Sequence, residues 1–511
     1  MERRNKILKS AGTVGLLTAL SRIFGYFRDA SLAWVLGAGL GMDAFTVAYR
    51  LANLFRRLVG EGAMSAAFVP VFVQYQTEHT REELWKFVGK FFYTLALVAA
   101  FIVGLEIVFA PILVRIMAPG FEVGSSKFEL TVLLTRLMAP YLLFAALAAL
   151  LMGILNSFGR FAAPALNPVL FNLSIITATL LAAQFAEGPV VMIAFGVLVG
   201  GALQVFSQLP SVIREGMTFQ IGFSFRHPAI QKIGTLLLPS IFGIGIVQIN
   251  LMVDSLMASF LREGSISQLY YADRVMELVL GIFTISLATV ILPDMAQSAA
   301  SKKIEELKGT LLFSLRAMAF VAIPATVGLF VLADPIIHVL FERGRFLSLD
   351  TEGTAVALAY YALGLFFISS VRIIVSAFYS LQDTKTPVKV AFVALITNIV
   401  LNWILMHPLK QGGIALATSL ASMLSVFQLL YIFQKRYGTF DWKKFWASLS
   451  KILTASAVMG IFCLACLRLF RFSVDQTLYW KVIGLFGTIG LGTFIYLAAA
   501  MFLKADEGVI L

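Results

Sequence analysis

The sequence predicts an all-α polytopic membrane protein with fourteen transmembrane helices. Of its 511 residues, 59% are hydrophobic and only 13% are charged, and the mean hydropathy is +0.88, values outside the range of soluble globular domains. Apolar runs of about 20 residues recur along the whole length, each long enough to cross a hydrocarbon core of about 30 Å. No stretch remains for a soluble domain.

Each predicted span is one apolar run. The basic start MERRNK resembles the beginning of a signal peptide, but no small-residue cleavage pattern follows, and Arg22, Arg28 and Asp29 interrupt the run. We therefore interpret the first run as a retained helix. The fourteen spans lie near 11–36, 41–72, 84–113, 129–155, 163–185, 189–212, 233–261, 268–298, 309–333, 352–380, 387–406, 412–434, 446–469 and 480–503.

The net charge of +12 is distributed as in a membrane protein rather than a nucleic-acid-binding one. Basic residues concentrate in alternate loops, including MERRNK, residues 81–90, the 214–232 loop and the run QKRYGTFDWKK at 434–444. The positive-inside rule then places both termini in the cytoplasm. We expect no nucleic-acid partner.

An internal repeat predicts the arrangement of the spans. AYRLANL at 48–54 aligns with ADRVMEL at 272–278, an offset of 224 residues, and NSFGRFAAPALNPV at 156–169 aligns with YSLQDTKTPVKVAF at 379–392. This offset equals six spans, which predicts two six-helix lobes related by a pseudo-twofold along the membrane normal. We expect lobes at 1–222 and 223–440, followed by two additional helices in 441–511.

Charged side chains lie inside the predicted spans. Arg22 and Asp29 are seven residues apart and share a face of the first helix, and the second span carries the stripe Arg50, Asn53, Arg57 and Glu61. A charged side chain that faced lipid at the bilayer centre would cost about 2.5–3.5 kcal/mol. These side chains therefore face protein or water, either as buried ion pairs or snorkelling groups, or as a binding site.

The excess of arginine favours a binding site for an anion. Arg22, Arg28, Arg50, Arg56, Arg57 and Arg274 outnumber the acids that can serve them, which are Asp29, Asp43, Glu61, Asp273 and Glu277. The planar guanidinium binds phosphate through two hydrogen bonds and keeps its charge when buried. A phosphate or diphosphate headgroup is the predicted ligand.

Neutral polar residues in other spans suggest a second site. Asn398, Asn402, Thr418 and Asp254 can supply oxygens to a hard monovalent cation, or the neutral three can form interhelical hydrogen bonds. No sequence motif for catalysis appears, and the histidines lack ligand spacing. The sequence predicts a transporter rather than an enzyme, with no cofactor beyond a candidate sodium ion.

Three segments resemble a known family, the MurJ (MviN) lipid II flippases of the multidrug/oligosaccharidyl-lipid/polysaccharide exporter superfamily. They are SRIFGYFRDASLAWVLGAGLGMDAFTVAYRLANLFRRLVGEGAMSAAFVPVF (21–72), YYADRVMEL (270–278) and FYSLQDTKTPVKV (378–390). The resemblance implies a bacterial inner-membrane protein that moves an undecaprenyl-diphosphate-linked disaccharide pentapeptide to the periplasmic leaflet by alternating access. Its implied partners are lipid II, membrane lipids and the cell-wall synthesis machinery.

The resemblance also implies roles for individual residues. The family's cavity arginines correspond to Arg22, Arg28, Arg56 and Arg274, with Asp29 orienting its neighbour, and Asp43, Arg50 and Glu61 match further functional positions, while the last two spans resemble a pair that forms a lipid-tail groove. A family sodium site corresponds to Asp254, Asn398, Asn402 and Thr418. Asn402 stands where the family pattern has an aspartate, which weakens the case for sodium here.

Two other functions remain open from the sequence. A cation-coupled multidrug exporter of the same superfamily would share the architecture but should line its site with acids and aromatics. A membrane enzyme acting on a lipid-linked sugar would need a carboxylate beside a sugar-binding groove, and the outer loops offer only scattered acids such as Glu122 and Asp475.

Overall fold

The computed structural model describes residues 2–59, 63–184, 188–218, 221–470 and 477–505. Over these ranges the chain is helical, and none of the described residues forms a strand. The predicted all-α class is confirmed. Packing divides the chain into two compact units, residues Met1–Gly264 and Ser265–Leu511, each described by itself below.

The described residues of the first unit form ten helices. They are α1 (Glu2–Leu36), α2 (Leu40–Val59), α3 (Ala63–Glu78), α4 (Arg81–Met117), α5 (Ser126–Met138), α6 (Tyr141–Ser157), α7 (Ala162–Ala182), α8 (Pro189–Phe206), α9 (Leu209–Arg214) and α10 (Pro228–Ala258).

In the second unit, the part of the chain that the structure describes forms eight helices. They are α11 (Ser265–Ala300), α12 (Ile304–Val331), α13 (Ala333–Phe341), α14 (Ser348–Ser380), α15 (Lys385–Leu409), α16 (Gln411–Tyr437), α17 (Trp442–Phe470) and α18 (Leu478–Phe502).

Ten helical segments among the described residues are long and apolar enough to cross a membrane. They coincide with the third to sixth and the ninth to fourteenth predicted spans. The remaining four predicted spans are also helical, as α1, α2 with α3, α10 and α11. Those four carry the ionisable residues that the sequence analysis singled out. The chain is thus a multi-pass membrane protein, and the total of fourteen spans stays a prediction.

The fourth predicted span is divided into two helices, α5 and α6, at Ala139 and Pro140. A proline has no N–H to donate into the preceding turn, so the α5 helix ends there. Neither this break nor the short helix α13 was predicted from the sequence. The second predicted span covers α2 and α3, and residues 60–62 lie outside the described part of the chain.

Helix spacing supports the predicted repeat. Helices α4, α5, α7 and α8 begin at Arg81, Ser126, Ala162 and Pro189, and α12, α14, α15 and α16 begin 222 or 223 residues later, at Ile304, Ser348, Lys385 and Gln411. The packing boundary differs from the predicted lobe boundary at 222, because α10 packs against α2, α3 and α4 of the first unit. The assignment of lobes stays a prediction.

Aromatic and small residues hold the helices together within each unit. In the first, Phe68 is fully buried and stacks on Phe91 with ring centroids 5.4 Å apart. A Cβ added to Gly200 of α8 would lie 2.8 Å from the Phe171 ring of α7. Such small residues let membrane helices approach closely where no water-driven attraction operates between them. Gly364 of α14 has the same role against Ser419 of α16.

Candidate functional site

Arg28 of α1 is held by two partners. Its Nε and Nη2 donate to Oδ1 of Asp29 at 3.0 and 2.8 Å, and its Nη1 donates to Oδ1 of Asn172 on α7 at 3.1 Å. The Arg28 and Asp29 side chains are only 12% and 6% exposed. The pairing fixes the direction in which the guanidinium points, and the role of both residues in binding stays a prediction.

Asn172 is a site residue that the sequence analysis missed. Its Oδ1 accepts from Arg28, and its Nδ2 donates to the backbone carbonyl of Ser21 on α1 at 3.1 Å. The amide lies over Gly25, where an added Cβ would be 3.6 Å from Nδ2. Asn172 is one of two asparagines in an apolar span, which was the available signal, but nothing local relates residue 172 to residue 28.

Of the three arginines of α2, Arg56 and Arg57 lie in its last turn and Arg50 lies in the middle of the helix. Arg56 donates from Nε to Oδ1 of Asn53, one turn earlier, at 2.5 Å. Arg50 and Arg57 are half-buried. Glu61, which the sequence places on the same stripe as Arg50, lies outside the described residues. Arg22 of α1 is half-buried as well.

Asp43 at the start of α2 is fully buried and joins three segments of the first unit. Its Oδ2 accepts from Nζ of Lys127 on α5 at 2.6 Å and from the backbone N–H of Gly264 at 2.8 Å. Lys127 also lies 4.4 Å from the centre of the Phe121 ring, a cation–π contact. These contacts give Asp43 a clear structural role, namely to fix α2 against α5 and the loop before α11.

The charge balance of α1 and α2 is strongly positive. Residues 20–59 contain five arginines and two aspartates, and Lys127 already pairs with one of the two, Asp43. Of the partners that are shown for Arg28 and Arg56, Asn172 and Asn53 are neutral. An anionic oxygen of a ligand can replace a neutral amide oxygen beside a guanidinium group. No buried carboxylate then loses its cation. This arrangement favours an anionic ligand.

In the second unit, Arg274 of α11 contacts side chains of its own helix. Its Nη1 donates to Oε2 of Glu277 at 2.5 Å, Oδ2 of Asp273 is 4.0 Å from Nη2, and the guanidinium lies 5.0 Å from the centre of the Tyr270 ring. Two carboxylates accompany this one arginine. The excess of arginine therefore resides in α1 and α2 and not in α11.

Three of the four residues named for sodium form one hydrogen-bonded cluster in the second unit, in which Asn398 and Asn402 are buried and Thr418 is half-buried. Asn402 donates to Oδ1 of Asn398 at 2.9 Å, and Asn398 donates to Oγ1 of Thr418 at 3.1 Å. Asp254, also buried, belongs to the first unit. The cluster offers oxygens but no carboxylate, and those of Asn398 and Thr418 already accept hydrogen bonds. Among the described residues, no group of three or more His, Cys, Asp or Glu is placed to hold a metal. The donor set therefore fits sodium only in part.

Comparison with known proteins identifies the family. A family model described as "Lipid II flippase MurJ" matches residues 32–482. The chain belongs to the MurJ lipid II flippase family. The matched region includes the arginines of α2 and the α11 segment, so the family resemblance expected from the sequence is confirmed.

Similar proteins support the same membership over nearly the full length. A "Probable lipid II flippase MurJ" from Vibrio cholerae serotype O1 is 35% identical over 507 residues, covering 98% of this chain and 96% of that protein. Another of that description, from Rhizobium tropici, is 36% identical over 461 residues, covering 89% and 86%.

Solved structures agree with the fold. "Lipid II flippase MurJ, inward closed conformation" matches with a TM-score of 0.80 at 30% identity, covering 96% of this chain and 99% of that one. An inward-facing multidrug resistance MATE transporter of the MOP superfamily matches with a TM-score of 0.71 at 13% identity, covering 81% and 94%. The second likeness shows only a shared fold, so it does not support drug export.

Proposed function

We propose that this chain is a flippase for lipid II, the undecaprenyl-diphosphate-linked peptidoglycan precursor. It would carry that lipid from the cytoplasmic to the periplasmic leaflet of the bacterial inner membrane, with both termini in the cytoplasm. Family membership and the similarity to relatives described as lipid II flippases support this proposal. The positive-inside distribution of basic loops supports the orientation.

The arginine excess of α1 and α2 carries the proposal. A diphosphate has several anionic oxygens, and guanidinium groups bind such oxygens in pairs. Arg28 has a fixed direction because Asp29 and Asn172 hold it, and it loses little side-chain freedom on binding. Arg56 bonds a neutral amide, which a diphosphate oxygen can replace. We propose that Arg28 and Arg56 bind the diphosphate, with Arg22 and Arg50 adding positive charge.

The same charge excess suggests how the empty transporter resets. Transporters built from such repeats expose one site to each side of the membrane in turn. A membrane potential, negative inside, is worth about 2.3 kcal/mol per charge per 100 mV. Once the diphosphate has left, the surplus positive charge would be drawn towards the cytoplasmic side. Bound diphosphate offsets that charge, so the loaded transporter would feel less of the field.

The arginine excess also argues against the drug-exporter alternative. A site for cationic, aromatic drugs would need a surplus of carboxylates, whereas residues 20–59 contain five arginines and two aspartates. Neither sodium coupling nor a partner in the cell-wall synthesis machinery follows from this geometry. Both remain predictions from the family resemblance.

Translocation in vesicles tests the proposal. The purified chain would be reconstituted with fluorescent lipid II, and the fraction of label accessible in the outer leaflet would be followed with and without an inside-negative potential. Arg28→Ala and Arg56→Ala should each slow translocation by about tenfold or more, since a hydrogen bond to a charged group contributes about 1.5–3 kcal/mol. Arg274→Ala tests the predicted role of α11 in the same assay.

The matched control is Arg115→Ala, which removes an exposed arginine from the last turn of α4. It should translocate lipid II as the wild type does. Unchanged translocation by both Arg28→Ala and Arg56→Ala would refute the assigned site. No translocation by the folded wild-type chain, with or without a potential, would refute the function.

A further inference from the structure

Glu106 of α4 is a buried carboxyl group that the proposed function does not use. The residue is 3% exposed, and neither Oε1 nor Oε2 has a hydrogen-bond partner among the described residues. It lies in the C-terminal half of α4, a helix long and apolar enough to cross a membrane. Its neighbours Val103 and Ile107 pack with apolar residues of the α5–α6 junction, namely Ala139, Leu142 and Leu143.

Burial without a partner determines the charge of this group. An ionised carboxylate taken out of water is strongly disfavoured unless a cation or several donors compensate it, and a group without compensation takes up a proton instead. Among the described residues, no lysine, arginine or histidine nitrogen lies within ion-pair distance of Glu106. Burial without compensation therefore favours the neutral, protonated form of Glu106 in this conformation.

A potential counter-ion from α5 contacts the backbone of α4 one residue beyond Glu106. Pro111 has no N–H, so the carbonyl of Ile107, four residues earlier, loses its helical hydrogen bond. Arg136 of α5 supplies the missing donor, with Nε 3.2 Å from that carbonyl oxygen. Two acceptors on α4, the Ile107 carbonyl and the Glu106 carboxyl, are thus adjacent in sequence, and Arg136 bonds the carbonyl.

We propose that Glu106 is a proton-binding site within the membrane, and that Arg136 is the counter-ion that pairs with it when the proton leaves. With the proton bound, Arg136 stays on the Ile107 carbonyl. Loss of the proton creates a buried carboxylate, which attracts the guanidinium more strongly than a carbonyl does. The proton leaves for water, and the Glu106–Arg136 ion pair replaces the neutral acid.

Moving Arg136 would move the helix that carries it. Helix α5 has 13 residues and ends at Met138, and Ala139 and Pro140 separate it from α6. On its other side α5 packs against α2, where Lys127 pairs with Asp43. Binding or release of a proton at Glu106 would therefore shift α5 against the helix that carries Arg50 and Arg56. The proton site does not rest on the identity of the transported lipid.

The other ionisable groups near α4 do not replace Arg136 as the counter-ion. Helix α6 has no ionisable side chain other than Tyr141, which leaves Arg136 as the cation whose bond lies next to Glu106. The full set on α4 and on the elements packed against it is Arg81, Glu82, Glu83, Lys86, Lys90, Tyr93 and Arg115 on α4, Lys127, Glu129 and Arg136 on α5, Tyr141 on α6, Asp254 and Lys232 on α10, Tyr75 and Glu78 on α3, and Asp43, Tyr49, Arg50, Arg56 and Arg57 on α2.

Infrared spectroscopy of the full chain in lipid tests the proton directly. A protonated carboxyl has a carbonyl stretching band that a carboxylate lacks. At neutral pH the wild type should show such a band, Glu106→Gln should lack it, and the control Glu129→Gln, which removes an exposed glutamate of α5, should keep it. A wild-type spectrum that matches that of Glu106→Gln in this region would overturn the proposal.

A second variant tests the counter-ion. Arg136→Gln keeps a donor for the Ile107 carbonyl but removes the cation that stabilises the ionised form. The Glu106 band should then persist to higher pH in Arg136→Gln than in the wild type. An unchanged pH midpoint would overturn the role given to Arg136. Because no lipid II is present, these readouts are independent of whether the chain proves to be a lipid II flippase.

Thermal unfolding guards against variants that do not fold. Glutamine is a neutral isostere of a protonated glutamate, so Glu106→Gln should unfold at the wild-type temperature, within error, at neutral pH. A large loss of stability in Glu106→Gln, together with no band in the wild type, would show that Glu106 is a structural carboxylate with a partner and would refute the proposal.

Discussion

Lys481 of α18 lies 2.9 Å from His338 of α13, measured from Nζ to Nε2. Nδ1 of the same ring is 2.9 Å from Oε2 of Glu342, and the Thr351 hydroxyl donates to that oxygen at 2.5 Å. An ammonium group can only donate, so Nε2 accepts and the ring proton is on Nδ1, facing the carboxylate. This chain of hydrogen bonds joins α18, α13 and α14 within the second unit.

Removing His338 should destabilise the protein. The Lys481 residue is only 8% exposed, and His338→Ala deprives its ammonium of one acceptor. We expect a loss of about 1.5–3 kcal/mol in the free energy of unfolding, the usual contribution of a hydrogen bond to a charged group. Thermal unfolding of the purified protein measures it, and His407→Ala, which removes an exposed histidine of α15, is the control.

A double-mutant cycle tests whether the loss comes from the Lys481 contact. His338→Ala combined with Lys481→Met should lose less stability than the sum of the two single changes. Strict additivity would show that His338 stabilises the protein through other contacts.

Asn172 should matter for transport because it directs Arg28. Asn172→Ala removes one hydrogen bond from the guanidinium, and we expect translocation of lipid II in vesicles to fall by a few fold, less than in Arg28→Ala. Asn172→Asp should be slower than Asn172→Ala, because a second carboxylate beside Arg28 competes with the diphosphate. The control is Asn167→Ala on the same helix, whose oxygens accept from Ser207 and Gln204 instead. Equal rates for wild type and Asn172→Asp would contradict the role given to Arg28.

His227, the residue before α10, should make stability fall in mild acid. Burial lowers the pKa of its ring below the ordinary 6.5, and the nearby Lys90 and His79 lower this pKa further. The folded chain therefore binds this proton less strongly than the unfolded chain. Stability is retained above pH 6.5 and is lost as the pH falls below it, with a limiting slope of about 1.4 kcal/mol per pH unit for one proton.

Unfolding midpoints between pH 8 and pH 5 measure this dependence. His227→Asn keeps a side chain suited to a helix start and should flatten the curve, whereas His407→Asn should leave it as in the wild type. A curve for His227→Asn that coincides with the wild-type curve would assign the acid sensitivity to another group.

A single substitution should create a response to sodium. The Asn398, Asn402 and Thr418 cluster lacks a carboxylate, so we expect the wild type to have the same thermal midpoint in sodium and potassium chloride. Asn402→Asp adds the missing negative charge beside two oxygens and should raise the midpoint in sodium selectively, as a ligand that binds the folded state does. Asn156→Asp on α6 controls for the added charge. A sodium-dependent midpoint in the wild type would show that Asn402 suffices.

Several features followed from local sequence. The apolar runs identified the spans because a helix in lipid must be apolar over about 20 residues whatever its neighbours. The interaction of Arg28 with Asp29 and that of Arg274 with Glu277 were within reach as well, since each joins residues at most one helical turn apart. The break at Pro140 was not predicted, because the apolar run continues through it.

Contacts between distant helices were beyond the sequence. Asn172 lies 144 residues from Arg28, and Arg136 bonds the carbonyl that Pro111 leaves free. The glutamate at 106 and the proline at 111 were visible in an apolar run, but the residue that serves them was not. The neutral group that bonds a buried cation depends on how two helices pack. Because apolar residues of similar size allow many packings, the sequence does not identify that group.

The sequence by itself determined that the chain lies in a membrane, that it is helical, and that its first two spans carry more positive than negative charge. These follow from composition and from spacing along one helix, which a bilayer constrains strongly. Only the tertiary structure decided which side chains compensate those charges, that Asp43 joins α2 to α5, and that Glu106 has no hydrogen-bond partner within the described part of the chain. The physical reason is that the free energy of a buried charge depends on groups within a few ångströms, and the folded chain brings those groups from remote positions in the sequence.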